Sequence, residues 1–253
     1  MRKNRQLVTS LGKYVCTIFI CISIASAQDG TALSEQELDS LITSMQDAYA
    51  AVDDYTCVFY KQERIDGEMR PMETIRMKFR KPFELYMKWI EDPYEGRELL
   101  YKRGWNNGEV RVKQHSFPYL TVNVDPTGTL AMRGNRHPVT EAGIGHTVQI
   151  VADDYERSIA HPEEKVLYLD RGDSTMYGEQ VRCIEAVTPK NESSNYYAHR
   201  ALVYISYRTH LPLRVKIWNT GDILVEDYGY ADFKINSGLT NRDFEPSNPD
   251  YNF

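Results

Sequence analysis

The chain has 253 residues, of which 42% are hydrophobic, and its formal net charge is −6. This length is sufficient for one sizeable apolar core, and a single domain is the default expectation. An acidic balance argues against nucleic acid as a partner, because binding to phosphates requires an excess of Lys and Arg. The sequence contains no G-x-S-x-G, C-x-x-C or H-E-x-x-H motif and no glycine-rich phosphate loop. It therefore predicts no catalytic residues and no cofactor.

The first 27 residues have the composition of a signal peptide. Basic residues precede an apolar run of about ten residues, roughly half of what a membrane-spanning helix needs. Ala25 and Ala27 then form an A-x-A cleavage site. Cys21 lacks the small preceding residues of a lipoprotein signal, so no lipid anchor is expected. We expect cleavage after Ala27 and a soluble domain of residues 28–253 outside the cytoplasm.

The domain begins with an amphipathic helix. Ser34 and Glu37 have the spacing of a capping box, which marks a helix start. The residues that follow repeat at helical spacing and give one apolar face that has to pack on another element. These residues are Leu38, Leu41, Ile42, Met45, Tyr49 and Val52.

From residue 55 onward the apolar pattern alternates with a period of two, which predicts half-buried antiparallel strands. Turn signals at Asp66-Gly67, Asn107-Gly108 and Thr127-Gly128 separate the first group of strands. A second helix is predicted after Pro138, on the apolar residues 144, 148, 151 and 155, although two glycines weaken its start. Five further strands follow. One sheet of this many strands twists until it coils, so we predict an α+β fold with a strongly curved antiparallel half-barrel and helices on its concave face.

Two segments resemble a known family. Residues 205–216, with the Leu-Pro turn at Leu211 and Pro212, are similar to the closing hairpins of LolA-like lipoprotein carriers. Residues 77–83 resemble their early hairpin, in which a basic-Pro turn joins two strands. The domain as a whole more closely resembles an uncharacterised exported bacterial family related to these carriers. It departs from the LolA/LolB-like pattern at residues 133–145 and around Asn191.

The resemblance implies a periplasmic, non-enzymatic carrier or binding protein, monomeric, with a cavity for a lipid or the acyl chain of a lipoprotein. A membrane-associated protein would be a further partner. The alternative is a sensor or interaction module of the same fold, with a filled core, that binds a protein partner at a sheet edge.

An apolar row on two neighbouring strands is the candidate ligand site. The residue pattern alone favours ordinary core, but the resemblance favours a cavity lining, because Met and aromatic side chains adapt to acyl chains. The row consists of Ile75, Met77, Phe79, Phe83, Leu85, Met87 and Trp89.

Polar residues before the second helix form the best candidate for a metal site. His137 and Glu141 share a helix face and could bind a metal together, but His146 lies five residues further on, off that face. We therefore predict no metal site. Instead, we expect Arg136 and its neighbours to tie the start of this helix to the rim of the sheet.

Two other sets of residues have a structural and a functional interpretation. The basic row Arg76, Lys78 and Arg80 is typical of the solvated face of a strand, although it could also bind anionic head groups. Cys57 and Cys183 are the cysteines beyond the signal peptide, and they either form a disulfide or serve as small buried thiols.

Overall fold

The computed structural model describes residues 30–190 and 195–253. The predicted signal peptide lies outside the described residues. Within them, the chain forms one antiparallel sheet of 13 strands and two long helices. The strands are β1 Thr31–Ala32, β2 Asp54–Ile65, β3 Glu68–Met69, β4 Glu73–Arg80, β5 Glu84–Trp89, β6 Glu98–Lys102, β7 Val110–Lys113, β8 Thr121–Val124, β9 Leu167–Met176, β10 Glu179–Val187, β11 Arg200–Ser206, β12 Pro212–Trp218 and β13 Leu224–Ile235. The α-helices are α1 Glu35–Ala50, α2 Thr129–Met132 and α3 Ile144–Ala160, and short 3₁₀ turns span Asn106–Gly108, Val139–Glu141, Pro162–Glu164 and Asn241–Phe244.

The sheet is strongly curved and open. Its strand order is β1-β9-β10-β11-β12-β13-β2-β4-β5-β6-β7-β8, with β3 paired to β2. In a flat sheet, β10 and β8 would lie roughly 40 Å apart, at about 4.8 Å per strand. However, Ile184 of β10 and Val122 of β8 line the same cavity. The sheet therefore wraps around that cavity, and the predicted half-barrel fold is confirmed.

Both long helices pack on the concave face. Helix α1 begins with the predicted capping box, in which the backbone N–H of Glu37 donates to Ser34 Oγ and the backbone N–H of Ser34 donates to Glu37 Oε2. Its buried residues Leu38, Ile42 and Met45 join the core cluster of the sheet. Helix α3 contributes Ile144, Val148, Ala152 and Tyr155 to the same cluster. None of the helices in the described part of the chain is long and apolar enough to cross a membrane.

The basic row on β4 has a role that the sequence did not indicate. A C-terminal segment, residues 239–253, packs on this face of the sheet around fully buried Phe244. Lys78 Nζ lies 2.8 Å from Asp243 Oδ1, and Arg80 donates to Leu239 O at 3.1 Å and to Asn241 Oδ1 at 2.7 Å. The expectation of a solvated face is therefore correct for the exposed Arg76 and wrong for Lys78 and Arg80, which hold this segment in place.

The two cysteines are buried free thiols in the structure. Cys57 lies on β2 and Cys183 on β10, and three strands separate them in the sheet. A disulfide requires Cα atoms within about 7 Å, a distance that adjacent strands provide and strands so separated do not. Burial raises the pKa of Cys57. Of the two alternatives left open by the sequence, the structure supports packing.

The start of α3 requires a glycine. Gly143 has φ +110°, and a Cβ atom at this position would lie 2.7 Å from the hydroxyl of the fully buried Tyr55. That hydroxyl accepts a hydrogen bond from the backbone N–H of Ile144 at 3.2 Å, so it cannot move away without breaking this bond. The turn therefore needs both the backbone freedom and the small volume of glycine.

Gly143→Ala is expected to destabilise the protein by about 1–3 kcal/mol, because it combines a strained backbone with overpacking. Urea denaturation monitored by circular dichroism measures this difference. Gly221→Ala, in the turn between β12 and β13 where φ is not positive, is the matched control and should change stability little. Equal stability of the two variants would contradict the role assigned to Gly143.

Candidate functional site

An apolar cavity of about 450 Å³ lies between the concave face of the sheet and the helices. This volume is within the range of small-molecule sites, roughly 300–1,000 Å³. Side chains from both halves of the sheet and from α1 and α3 form its walls. Apolar wall residues include Leu41, Met45, Phe59, Leu99, Val112, Ile150, Val151, Val203, Val215 and Ile217.

The structure divides the predicted apolar row into two groups. Ile75, Met87 and Trp89 line the cavity. The other four residues are buried in the core cluster and are not part of the cavity wall; they are Met77, Phe79, Phe83 and Leu85. Ligand contact stays a prediction for the three residues that line the cavity. The other four residues have the environment of ordinary core.

The position of α3 explains this division. Its first turn lies over Tyr55, whose ring stacks on Phe79 at a centroid distance of 5.1 Å and also contacts Phe233 at 5.1 Å. Phe83 packs edge-on against Phe79 at 5.3 Å. These rings fill the space beneath the start of α3, so the cavity ends there.

The opposite end of the cavity is polar. Glu63 of β2 and Glu226 of β13 are directly opposite each other in the sheet register, and both side chains are buried. Lys61 and Glu73 form the next cross-strand pair, with Nζ 3.1 Å from Glu73 Oε1 and 3.1 Å from Glu63 Oε2. Two adjacent buried carboxylates repel each other, so they require cations and hydrogen-bond donors.

The segment that connects β8 to α3 supplies two further cationic side chains. We call residues 126–143 the covering segment, because it crosses the polar end of the cavity and many of its residues line it. Arg136 Nε donates to Glu226 Oε1 at 2.6 Å, and the backbone N–H of Arg136 donates to Glu63 Oε2 at 3.0 Å. His137 Nε2 lies 3.1 Å from Glu226 Oε1, and its Nδ1 lies 3.1 Å from Glu141 Oε2. These groups tie the segment ahead of α3 to the sheet, whereas α3 itself begins at Ile144 after Gly143, without a side-chain cap.

Two tyrosines complete the polar network. Tyr228 donates to Glu63 Oε1 at 2.5 Å, and Tyr197 donates to Glu226 Oε2 at 2.8 Å. Burial and the neighbouring carboxylates raise the pKa of Tyr228, so its hydroxyl remains a donor. With these bonds, each buried carboxylate has donors on both oxygen atoms.

The candidate metal cluster has a different geometry from that expected. The bend at Gly143 brings His146 Nε2 to 3.7 Å from Glu141 Oε2, whereas a single helix would have separated these two side chains. In the described ranges, no group of three or more His, Cys, Asp or Glu side chains is arranged to hold a metal ion.

The electrostatics of the network favour a charged His137. Burial alone would lower the pKa of His137, but the hydrogen bonds and charges of Glu226 and Glu141 raise it above its usual value. Burial alone would raise the pKa of Glu226, but bonds from His137, Arg136 and Tyr197 lower it. Nδ1 of His137 faces Glu141, and its Nε2 lies 3.1 Å from Glu226 Oε1 and 2.7 Å from the Tyr197 hydroxyl, which itself donates to Glu226; an imidazolium can donate from both ring nitrogens.

Sequence reasoning missed the buried glutamates, although the sequence contains a signal for them. Glu63 is in phase with the inward-facing Phe59, and Glu226 is in phase with Tyr228 and Tyr230. Residues two apart on a strand share a face, so both carboxylates had to point inward.

Comparison with known proteins identifies the family. A family described as "Protein of unknown function (DUF1571)" matches residues 52–253. The chain belongs to this family. The match confirms the resemblance to a family of unknown function that the sequence suggested. No curated protein matches the chain significantly.

Several solved structures are similar to this chain at low sequence identity. The Mycobacterium tuberculosis lipoprotein LppX has 13% identity and a TM-score of 0.49, over 82% of this chain and 99% of LppX. The Pseudomonas aeruginosa MucA/MucB complex structure has 11% identity and a TM-score of 0.46, over 82% of this chain and 60% of the matched chain. A LolA superfamily protein from Nitrosomonas europaea has 10% identity and a TM-score of 0.34, over 82% and 97% of the two chains.

The raised pKa of His137 predicts a pH dependence of stability. The protonated imidazole stabilises the folded state fully below the unfolded pKa of about 6.5, and this contribution is lost as pH rises through the raised folded pKa. We expect the free energy of unfolding of wild type to exceed that of His137→Gln by about 1–2 kcal/mol near pH 6, and this difference to shrink at higher pH. Urea denaturation between pH 5.5 and 9 measures it.

His210→Asn is the control, because His210 is exposed and forms no ion pair with any described residue. Asparagine also tolerates its positive φ of 55°. A difference between wild type and His137→Gln that stays constant with pH would show that His137 acts through packing rather than charge.

Proposed function

We propose that this protein is a non-enzymatic, periplasmic carrier or binding protein that holds an apolar chain, from a lipid or an acylated protein, in the cavity. The observation that carries this proposal is the hollow between sheet and helices, walled by apolar side chains from both halves of the sheet. A filled core would serve stability better, since unfilled space costs free energy. A hollow of this size is therefore best explained by a ligand that occupies it.

The expected strength of binding suits a carrier. Burial of an acyl chain contributes about 0.8 kcal/mol per methylene, and immobilisation of protein and ligand offsets part of this gain. A single chain is thus held firmly enough to be shielded from water and loosely enough to be released. The polar end of the cavity supports binding rather than catalysis, because Glu63 and Glu226 are held in ion pairs and hydrogen bonds.

A second candidate function is recruitment of a protein partner. One observation favours it: β8 is the last strand in the sheet order, and the hairpin that precedes it exposes Phe117, Tyr119 and Leu120. An unpaired strand edge beside exposed apolar side chains can accept a strand from another protein. In this case the cavity would not need to bind a ligand.

Trp89 provides a direct test of occupancy of the cavity. Of the three tryptophans of the chain, Trp89 lines the cavity, whereas Trp105 and Trp218 lie outside it. We expect a brominated fatty acid to quench the fluorescence of wild type, because a bromine in the cavity would contact the indole. Trp89→Phe should remove the quenchable fraction, and Trp105→Phe and Trp218→Phe should retain it. Equal quenching in all three variants would place the ligand elsewhere.

A larger side chain in the cavity wall should weaken ligand binding without adding a charge. Ala201 and Ala186 are opposite each other on neighbouring strands, and both line the cavity. We expect Ala201→Phe to weaken binding of a fluorescent fatty-acid probe about tenfold or more, since each displaced methylene contact loses about 0.8 kcal/mol. Fluorescence titration measures this change.

Ala160→Phe, at the exposed end of α3, is the matched control and should bind the probe as wild type does. Thermal melts of each variant with and without probe verify folding, because a bound ligand stabilises the folded state. A wild type that neither binds the probe nor gains stability from it, and that carries no extractable lipid when purified from its own host, would favour the partner-binding function.

A further inference from the structure

Arg97 occupies a distinctive position in the cavity wall. It directly precedes β6, and its carbonyl oxygen accepts a hydrogen bond from the backbone N–H of Trp89 at 3.0 Å. Gln114 directly follows β7. Glu98 pairs with Lys113, so extending this antiparallel register by one residue places Arg97 opposite Gln114. Because opposed residues on antiparallel strands face the same side, Arg97 and Gln114 are neighbours, and both line the cavity.

Arg97 and Arg133 line the cavity without an ion-pair partner among the described residues, but Arg133 is exposed, whereas Arg97 is partly buried. Lys61 and Arg136 are in ion pairs with buried glutamates. By contrast, no carboxylate of a described residue lies within 4 Å of the Arg97 guanidinium. The closest polar contact of its Nη2 is His115 Nδ1 at 3.5 Å, and its Nε is buried without a hydrogen-bond partner.

The surroundings of Arg97 hold its guanidinium in place. The guanidinium carbon lies 4.2 Å from the centroid of the Tyr94 ring and 5.3 Å from that of Trp89. The carboxylate of Glu73 attracts Arg97 electrostatically over a longer distance. Both of its oxygens already accept hydrogen bonds, Oε1 from Lys61 Nζ and Oε2 from Trp89 Nε1. Burial lowers the pKa of Arg97, but an arginine in a protein remains protonated, so its charge is uncompensated at short range.

Gln114 adds a second polar group with unused hydrogen-bonding capacity. Its side-chain amide makes no hydrogen bond to any described residue, although its backbone N–H donates to Leu120 O at 2.9 Å. An amide N–H beside a guanidinium is well suited to an oxyanion, which accepts several hydrogen bonds at once.

We propose that Arg97 and Gln114 bind the anionic head group, a carboxylate or a phosphate ester, of an amphiphilic ligand whose acyl chain lies in the cavity. This inference rests on the proposed function and specifies the class of ligand. The head lies at the ends of β5, β6 and β7, and the chain runs from there along Met87, Leu99 and Val112. The Arg97 charge acquires its counter-ion from the ligand.

Pairs of ligands with one chain length and different heads test this inference. Hexadecanoic acid and hexadecanol form the first pair, and a lysophosphatidic acid and the corresponding monoacylglycerol form the second. Displacement of a fluorescent fatty-acid probe gives their affinities. We expect wild type to bind the anionic member of at least one pair about tenfold more tightly or better, the range of a charge-assisted hydrogen bond. The pair that shows the preference distinguishes a carboxylate from a phosphate.

Three variants assign the preference to this site. Arg97→Gln should reduce the ratio of the affinity for the anionic ligand to that for the neutral ligand to near one. The affinity for hexadecanol should stay almost unchanged. Arg97→Lys should restore part of the ratio, because it keeps the charge and loses the planar donor geometry. Arg111→Gln is the matched control: Arg111 also lies over an aromatic ring, Trp105 at 5.2 Å, but is outside the cavity, and the ratio should not change.

The outcomes separate this inference from the proposed function. A wild type that binds the acid and the alcohol equally, and both glycerolipids equally, overturns the head-group site and leaves the cavity as an acyl site. A wild type that binds none of the four overturns both. An unchanged ratio in a folded Arg97→Gln variant, as judged by its thermal melt, also overturns the role of Arg97.

Discussion

The arrangement of this protein depends on two buried carboxylates that face each other across neighbouring strands. Glu63 and Glu226 lie on the concave side of the sheet, where desolvation and mutual repulsion both oppose ionisation. The sheet alone offers them Lys61 and the hydroxyl of Tyr228. Arg136 and the imidazolium of His137, both from the covering segment, supply the remaining positive charges. This segment is therefore positioned by ion pairs, and removing one partner of such a network typically costs several kcal/mol.

This constraint also determines the shape of the cavity. At one end, the rings of Tyr55 and Phe79 close the space beneath α3, and at the other the covering segment spans the polar network. The residues that close the two ends are close together in sequence, because the covering segment runs directly into α3. A single stretch of chain thus closes the apolar end by packing and the polar end by charge. The space between them remains open because neither end extends far enough to fill it.

The fold was largely predictable from local patterns, whereas the site was only partly so. The capping box at Ser34 and the period-two alternation determined α1 and most strands, because both signals depend on neighbours in sequence. The same alternation runs through Met77 and Met87, yet Met87 lines the cavity and Met77 does not. This difference arises from where α3 lies on the sheet, which no local pattern encodes.

Charged residues in strands explain other differences from the sequence-based expectation. Strand β9 continues to Met176 through a charged stretch that has no alternating apolar pattern. Its polar residues are compensated across the strands, as in the ion pair between Asp170 and Arg182 at 2.9 Å. Because the pairing residue lies on the next strand, the sequence of β9 alone shows only a charged stretch, which is typical of a loop. Likewise, nothing around Lys78 and Arg80 reveals that residues 239–253 cover them.

The C-terminal cover has a consequence for the order in which this molecule can be assembled. Strand β2 pairs with β13, which follows about 160 residues later, and strands β4 to β6 are covered on one face by residues 239–253. During synthesis, β2 emerges early, whereas its second neighbour, β13, emerges near the end. One edge of β2 therefore stays unpaired until β13 has been made, and strands β4 to β6 stay uncovered on one face until residues 239–253 follow.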